Sequence, residues 1–376
     1  MKPAIVAIGY NRPNALLRLL DSVNRAIYDE EVTLIISLDY SDNHTEMINI
    51  VEQFEWKHGE KIIRSFEERQ GLRNHVLQCG DLSETYGSVI ILEDDLVVSP
   101  SFYIFAKQAL EFYENDRRIA GVALYSHEWN GYADKFFRPV IDRYDVYFGQ
   151  FSITWGQCWT KKSWQSFKHW YYKQPMILDS NPNIPDRINH WGNQSWGRYY
   201  VNYMIEEGKY YVIPRFALST NCSEIGEHAN VSDADHQVSL LFDEKRNYNF
   251  AKYDEGIFYD IFFENQSLNK YLDEKYQQDV VIDLNGTKRS LSSKRYILST
   301  RDLPYRVERS FGLQLRPIDM NIILNVPGNV IRLYDLEYPE KKSSQSYFVK
   351  RYDVRGQRLK DMIIYCLQSI KTRVFR

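Results

Sequence analysis

Four short, unalternating apolar runs in the first third of the chain constrain its fold more than any other feature: Ala4–Ile8, Val32–Ile36, Val89–Leu92 and Ile119–Leu124. A strand wetted on one face alternates apolar and polar residues. Runs without alternation belong to strands covered on both faces, as in a parallel sheet sandwiched between helices. The segment between the first two runs, PNALLRLLDSVNRAI, places Leu16, Leu17, Leu20, Val23 and Ile27 at helical spacing, with Pro13 suited to a first helical turn. A further strand at Lys61–Phe66 and a helix from about Leu72 lead to the third run. The series is βαβ, which predicts an open, mostly parallel α/β sheet with its ligand site at the carboxyl ends of the strands.

The chain of 376 residues is long enough for a main domain and an appendage. The texture changes near residue 255, where Asp279–Gly286, Arg295–Thr300, Asn321–Val326 and Val330–Tyr334 read as short strands and Asn285-Gly286 as a hairpin turn. The expected organisation is a main α/β domain over 1–254, a β-rich appendage over 255–348, and a basic amphipathic helix over 349–376. A formal charge of −3 supplies no general attraction for nucleic acid. Cys79, Cys158, Cys222 and Cys366 are widely spaced and form no CxxC pair, which fits a reducing cytosol. The opening MKPAIVAIGYNRP is too short an apolar run for a signal peptide, and no segment approaches the roughly 20 apolar residues of a membrane span.

The third run enters three consecutive acids, Glu93-Asp94-Asp95, and then becomes apolar again. Adjacent carboxylates repel one another, so a cation is expected there. Mg²⁺ or Mn²⁺ commonly takes one or two carboxylates together with the phosphates of a substrate. Three other segments end on the same side of the predicted sheet: Tyr10-Asn11-Arg12, Asp39 in LDYSDN, and Gly71-Leu72-Arg73. Together they supply an acceptor for a base N–H (Asp39), cations for phosphate (Arg12, Arg73) and a close backbone approach (Gly71). Six of the eight Trp fall between 155 and 196, as a sugar-stacking surface or an aromatic core; Trp164 and Trp170 read as core.

The segments IVAIGYNRPNALLRLLDS, LDYSDN, GLRNHVL, VIILEDDLVVSPSFY and ITWGQCWTKKSW, in that order, resemble the GT-A glycosyltransferases, especially the N-acetylglucosaminyltransferase I type and bacterial capsule or O-antigen enzymes with an EDD version of the DxD motif. The resemblance covers roughly residues 3 to 236 and implies metal-dependent transfer of a sugar, with inversion, from a nucleotide-diphosphate sugar (UDP-linked favoured) to a saccharide acceptor. It implies that Asp95 holds the metal on the diphosphate and that Glu93 and Asp94 orient the donor. It points to Trp155 and Trp159 as acceptor-facing, and aligns Glu224 and His228 of STNCSEIGEH with an Asp and a His of the bacterial members. The family's Asp beside a late helix is absent from His190-Trp191-Gly192-Asn193-Gln194-Ser195-Trp196-Gly197, which leaves Asp186 and Glu224 as candidate bases. A carbohydrate-binding protein without catalysis and a sugar-phosphate nucleotidyltransferase are the competing readings. The latter would want a glycine-rich loop after the first strand, where only Gly9 stands.

The last stretch, LKDMIIYCLQSIKTRVFR, sets Leu359, Met362, Ile363, Cys366, Leu367, Ile370 and Val374 on one helical stripe. From Val349 onward eight Lys or Arg (350, 351, 355, 358, 360, 371, 373, 376) face only Asp353 and Asp361, a local charge of 8 − 2 = +6. Two arrangements fit: peripheral binding to the inner face of the cell membrane, where a lipid-linked acceptor would lie, or docking of the stripe on the β-rich appendage.

Overall fold

A computed structural model describes residues 1–192, 194–222, 236–289, 294–341, 346–354 and 358–374. Contacts divide the chain into two compact units. The first runs from Met1 to Ser267 and takes back the short segment beginning at Thr287; the second comprises Leu268–Gly286 and the described residues from 294 onward.

In the first unit β1 (Ala4–Gly9), α1 (Pro13–Asn24), β2 (Leu34–Leu38), α2 (His44–Gln53), β3 (Lys61–Ser65), α3 (Leu72–Asp81), α4 (Ser83–Tyr86) and β4 (Ser88–Glu93) follow one another as strand and helix in turn. Then come β5 (Leu96–Val98), α5 (Phe102–Phe112), β6 (Ile119–Ala123), a small hairpin of β7 (Trp129–Asn130) and β8 (Lys135–Phe136), β9 (Val146–Gly149) and β10 (Gln157–Thr160). The unit closes with α6 (Lys161–Tyr171), α7 (Asp186–Asn189), α8 (Trp196–Glu206), β11 (Tyr210–Pro214), β12 (Ser219–Asn221) and β13 (Phe258–Tyr259). Among the described residues the main sheet has the order β13-β9-β11-β6-β10-β4-β1-β2-β3. β4, β1, β2 and β3 are mutually parallel, whereas β10 runs antiparallel to both β4 and β6. The first unit reaches past residue 254 because β13 pairs with β9 as an edge strand of this sheet.

Successive strand residues feed opposite cores. Ile5 and Ala7 join Leu16, Leu20, Met47 and Phe105 on the face covered by α1, α2 and α5. Ala4, Val6 and Ile8 join Val76, Trp164, Phe167 and Tyr200 on the face covered by α3, α6 and α8. Both faces being dry is why the strand sequences lack alternation. The second face mixes aliphatic side chains with a dense set of rings, and Gly80 of α3 is one condition of its packing: a Cβ there would collide with the Trp164 ring.

The second unit has a four-stranded sheet of β14 (Val280–Asp283), β15 (Tyr296–Ser299), β17 (Ile331–Pro339) and β16 (Tyr305–Phe311), in that spatial order. Two expectations are corrected here. Asn285-Gly286 does not make a hairpin, because β14 and β15 are parallel and a tight turn joins only antiparallel strands. The run at Asn321 is not a strand. With α9 (Glu274–Gln277) ahead of it, it forms the short helix α10 (Met320–Ile323), whose Ile322 is buried beside Leu298 and Leu333. The unit ends in α11 (Ser346–Asp353) and α12 (Leu359–Val374). Among the described residues no helix is long and apolar enough to cross a membrane.

Candidate functional site

The chain leaves β1 for β2 and β3 on one side and returns across β1 to place β4 on the other. At such a reversal the helices diverge to opposite faces and leave a crevice beyond the carboxyl ends of the two strands. Ile8 lies opposite Glu93 in the β1–β4 ladder, so Tyr10-Asn11-Arg12 and Glu93-Asp94-Asp95 emerge side by side into that crevice. The Arg12 guanidinium pairs with Asp94 through Nη2 to Oδ1, and its Nε donates to Oδ2 at 3.4 Å. Asp94 is buried.

One arginine does not neutralise three acids. Burial, reinforced by the charges of Asp95 and Asp94, pushes the Glu93 carboxyl well above the usual range against the pull of Arg12. Burial also pushes Asp95 up to about 6; Asp94 adds to the shift, while Arg12 and Arg18 oppose it. Glu93 Oε1 and Asp95 Oδ1 are sealed from water and have no hydrogen-bond partner. Sealed carboxylate oxygens without a donor are costly to a fold. A divalent cation or the hydroxyls of a ligand would offset that cost. Among the described residues no three His, Cys, Asp or Glu side chains converge to cage a metal unaided. The donor set therefore fits a hard cation that draws its remaining ligands from phosphate and water.

The turn is strapped from the far side. β5 pairs antiparallel with β12, Ser219 opposite Val98 and Asn221 opposite Leu96. The Cys222 N–H donates to the Asp95 carbonyl at 2.8 Å, and Ser219 Oγ donates to the Trp155 carbonyl at 2.6 Å. Trp155 is partly exposed, with its ring 4.8 Å from Tyr125 and 5.1 Å from His236. Tyr125 Oη donates to the His236 carbonyl at 2.7 Å, so β6, the 155 turn and the chain at 236 meet beside the acids. Glu224 and His228 lie outside the described residues, as does Asn193.

The other expected residues divide. Asp39 at the end of β2 is buried, and it accepts three backbone N–H groups: Tyr40 at 2.8 Å and Gln70 at 2.7 Å on Oδ1, and Gly71 at 2.9 Å on Oδ2. It ties the β2 end to the start of α3, and of its roughly four acceptor positions one, on Oδ2, is left over by these three bonds. Gly71 has φ +74, a backbone that side chains disfavour, and this turns its N–H onto Asp39. Arg73 points away from the crevice: it is buried, donates to Tyr199 Oη at 3.0 Å and lies over that ring, which makes it a packing residue between α3 and α8. Trp159 is likewise no acceptor platform. It is fully buried, packed on Trp164 at 4.5 Å, Trp196 at 5.8 Å and Tyr200 at 5.6 Å, because its position in β10 turns it to the ring-filled core. Trp164 and Trp170 sit in that same core. Asp186 is ion-paired to Arg289 and lines a separate cavity of about 440 Å³ with Asp134, Arg187 and Phe262. Arg12 and the three acids do not line it.

No family model matches the chain, and no curated protein does. Solved structures with a partly similar course include the crystal structure of S. aureus TarS 1-349, 13% identical over 59% of this chain and 61% of that one, at a TM-score of 0.36. The mannosyltransferase PcManGT from Pyrobaculum calidifontis, in complex with GDP-Man and Mn²⁺, is 11% identical over 61% of this chain and 59% of its own, at 0.37. GalNAc-T7 with UDP, GalNAc and Mn²⁺ is 13% identical over 57% and 42%, at 0.38. The chain thus spans about three fifths or less of each of these, and likeness of this degree concerns the course of the chain alone.

Arg69 went unnoticed in the sequence. Its guanidinium lies 5.0 Å from the Tyr10 ring centroid, at the strand ends where Arg73 had been expected to serve. The signal was its place in EERQG, directly before the turn led by Gly71. Ser41 of LDYSDN fixes the loop after β1, its Oγ donating to the Tyr10 carbonyl at 2.9 Å.

Proposed function

We propose that the protein transfers a sugar from a nucleotide-diphosphate sugar, UDP-linked by preference, to a saccharide acceptor with inversion at the anomeric carbon, in the assembly of a surface polysaccharide. The observation that carries this reading is the pair of sealed carboxylate oxygens on Glu93 and Asp95, set beside Arg12 in the crevice between β1 and β4. Asp95 and Glu93 would hold Mn²⁺ or Mg²⁺ there, and the ion would supply positive charge against the departing diphosphate. Arg12 fixes the Asp94 carboxylate and lowers the net charge a donor meets. Tyr10 and Asn11 border the donor, and the partly exposed Trp155 offers a ring face to the acceptor sugar. Inversion needs a base for the acceptor hydroxyl. With Asp186 committed to Arg289, Glu224 is the proposed base and His228 a further contact to the metal or diphosphate.

Thermal denaturation with nucleotides tests the reading. The expected result is that UDP with Mn²⁺ raises the melting temperature and either alone does much less, since ligand at about a hundred times Kd adds about 2.7 kcal/mol of stability. UDP release from a UDP-sugar on adding a saccharide acceptor completes the test. Absence of any nucleotide effect across UDP, GDP and their sugars would overturn the proposal. Glu224→Gln is expected to lower turnover roughly 10²- to 10⁴-fold while leaving the UDP-dependent shift in melting temperature unchanged. A second reading, a carbohydrate-binding protein without turnover, is favoured by the acid-free stretch from His190 to Gly197. It predicts nucleotide or glycan binding with no release of UDP from its sugars.

A further inference from the structure

The sequence left two arrangements open for the stripe of α12, and the structure bears on both. Leu359, Ile363, Leu367 and Ile370 are between 51% and 68% exposed, and Cys366 between them is exposed as well. Positions i, i+4, i+8 and i+11 lie along one side of a helix. The stripe therefore does not dock on the four-stranded sheet. The preceding helix behaves differently: Tyr352 of α11 donates its hydroxyl to the Leu315 carbonyl at 2.8 Å, and Arg316 lies 4.2 Å from its ring centroid. That contact fastens α11 within the second unit while α12 keeps its apolar side bare.

The charge around the stripe identifies what covers it. Lys350 and Arg351 on α11, and Arg358 and Lys360 at the start of α12, are all exposed, with only Asp353 and Asp361 against them between residues 350 and 361 in the described chain. A second protein surface would bury the leucines and isoleucines equally well but has no need of these cations. A bilayer with anionic headgroups uses both, the apolar side chains entering the acyl boundary and the cations remaining among the phosphates. We infer that α12 is an interfacial helix that seats this protein on an anionic phospholipid surface, with the Leu359–Ile370 stripe inserted and Arg358 and Lys360 at headgroup level. The inference stands apart from the transfer reaction, since vesicle binding is read without turnover.

The test is co-sedimentation of the full chain with vesicles of phosphatidylcholine containing roughly 30 mol % phosphatidylglycerol, against phosphatidylcholine alone. Binding is expected only to the anionic vesicles and is expected to weaken as salt is raised. The double variant Ile363→Asp, Leu367→Asp changes two exposed side chains, so its melting temperature should match the parent while its partition falls about tenfold or more. The proposal fails if the intact chain does not bind anionic vesicles or if the double variant binds as the parent does. It also fails if sedimentation equilibrium shows a dimer that the double variant splits while neither form binds vesicles, for then a second copy covers the stripe.

Discussion

Asp95→Asn is expected to abolish the stabilisation conferred by Mn²⁺ with UDP and to cut turnover by roughly 10²-fold or more, yet to raise the melting temperature of the ligand-free protein at neutral pH. Both effects come from one cause. Burial and the charge of Asp94 push Asp95 up to about 6, above the ordinary aspartate value of about 3.9 that it has when unfolded. Between those values the folded chain holds a proton that the unfolded chain has lost, so stability falls as pH rises from about 4 to about 6 and stays lowered above that. Asparagine carries no such charge, and removing it also relieves Glu93, which Asp95 pushes further up. The gap in melting temperature between variant and parent should therefore be small near pH 4, widen through pH 6 and then level off. A gain of 1 kcal/mol corresponds to about 1–2 °C in a chain of this size. With Mn²⁺ and UDP present the parent should show the opposite slope, because ligation needs the carboxylate. A variant that melts below its parent at pH 7, or that keeps the Mn²⁺ effect, would show that Asp95 is a structural acid.

Much of the first unit was legible because its central strands are wet on neither face. The runs at Ala4, Leu34, Val89 and Ile119 are strands for the same reason that they read as strands: helices cover both sides. The acidic turn was legible because three adjacent carboxylates have no packing explanation. What failed depended on direction. Trp155 and Trp159 look alike in WGQCW, but one precedes β10 and the other lies within it, and the alternation of the strand sends Trp159 into the core. Arg73 and Arg69 are both near Gly71, and the helical turn of α3 carries Arg73 under Tyr199 while Arg69 stays at the strand ends. Asn285-Gly286 has the composition of a hairpin turn, but β15 takes its antiparallel partner from β17, more than thirty residues on, and lies parallel to β14. Local composition cannot report a choice made by long-range pairing.

Asp39→Asn is expected to destabilise the protein by roughly 2–4 kcal/mol, more than a lost surface carboxylate would. The carboxylate accepts at both oxygens, from Tyr40 and Gln70 on one and Gly71 on the other. An asparagine can present an oxygen to one side only. If its oxygen faces Tyr40 and Gln70, its NH₂ meets the Gly71 N–H donor to donor; if it flips, two donors are left facing an NH₂. Either way a buried N–H loses its acceptor and the remaining bonds lose their charge assistance. The loosened element is the start of α3, which Asp39 joins to the end of β2 at the rim of the crevice. Weaker nucleotide binding should therefore accompany the loss of stability. Gly71→Ala separates the two causes: it keeps the carboxylate but strains the backbone at φ +74, ψ 153, a conformation almost confined to glycine, at a cost of about 1–3 kcal/mol. If Asp39 acts by holding that backbone, the double variant should cost clearly less than the sum of the singles, since the strained turn has already given up its bond to Asp39. Additive losses, with nucleotide affinity reduced only in Asp39→Asn, would instead return Asp39 to direct contact with the base.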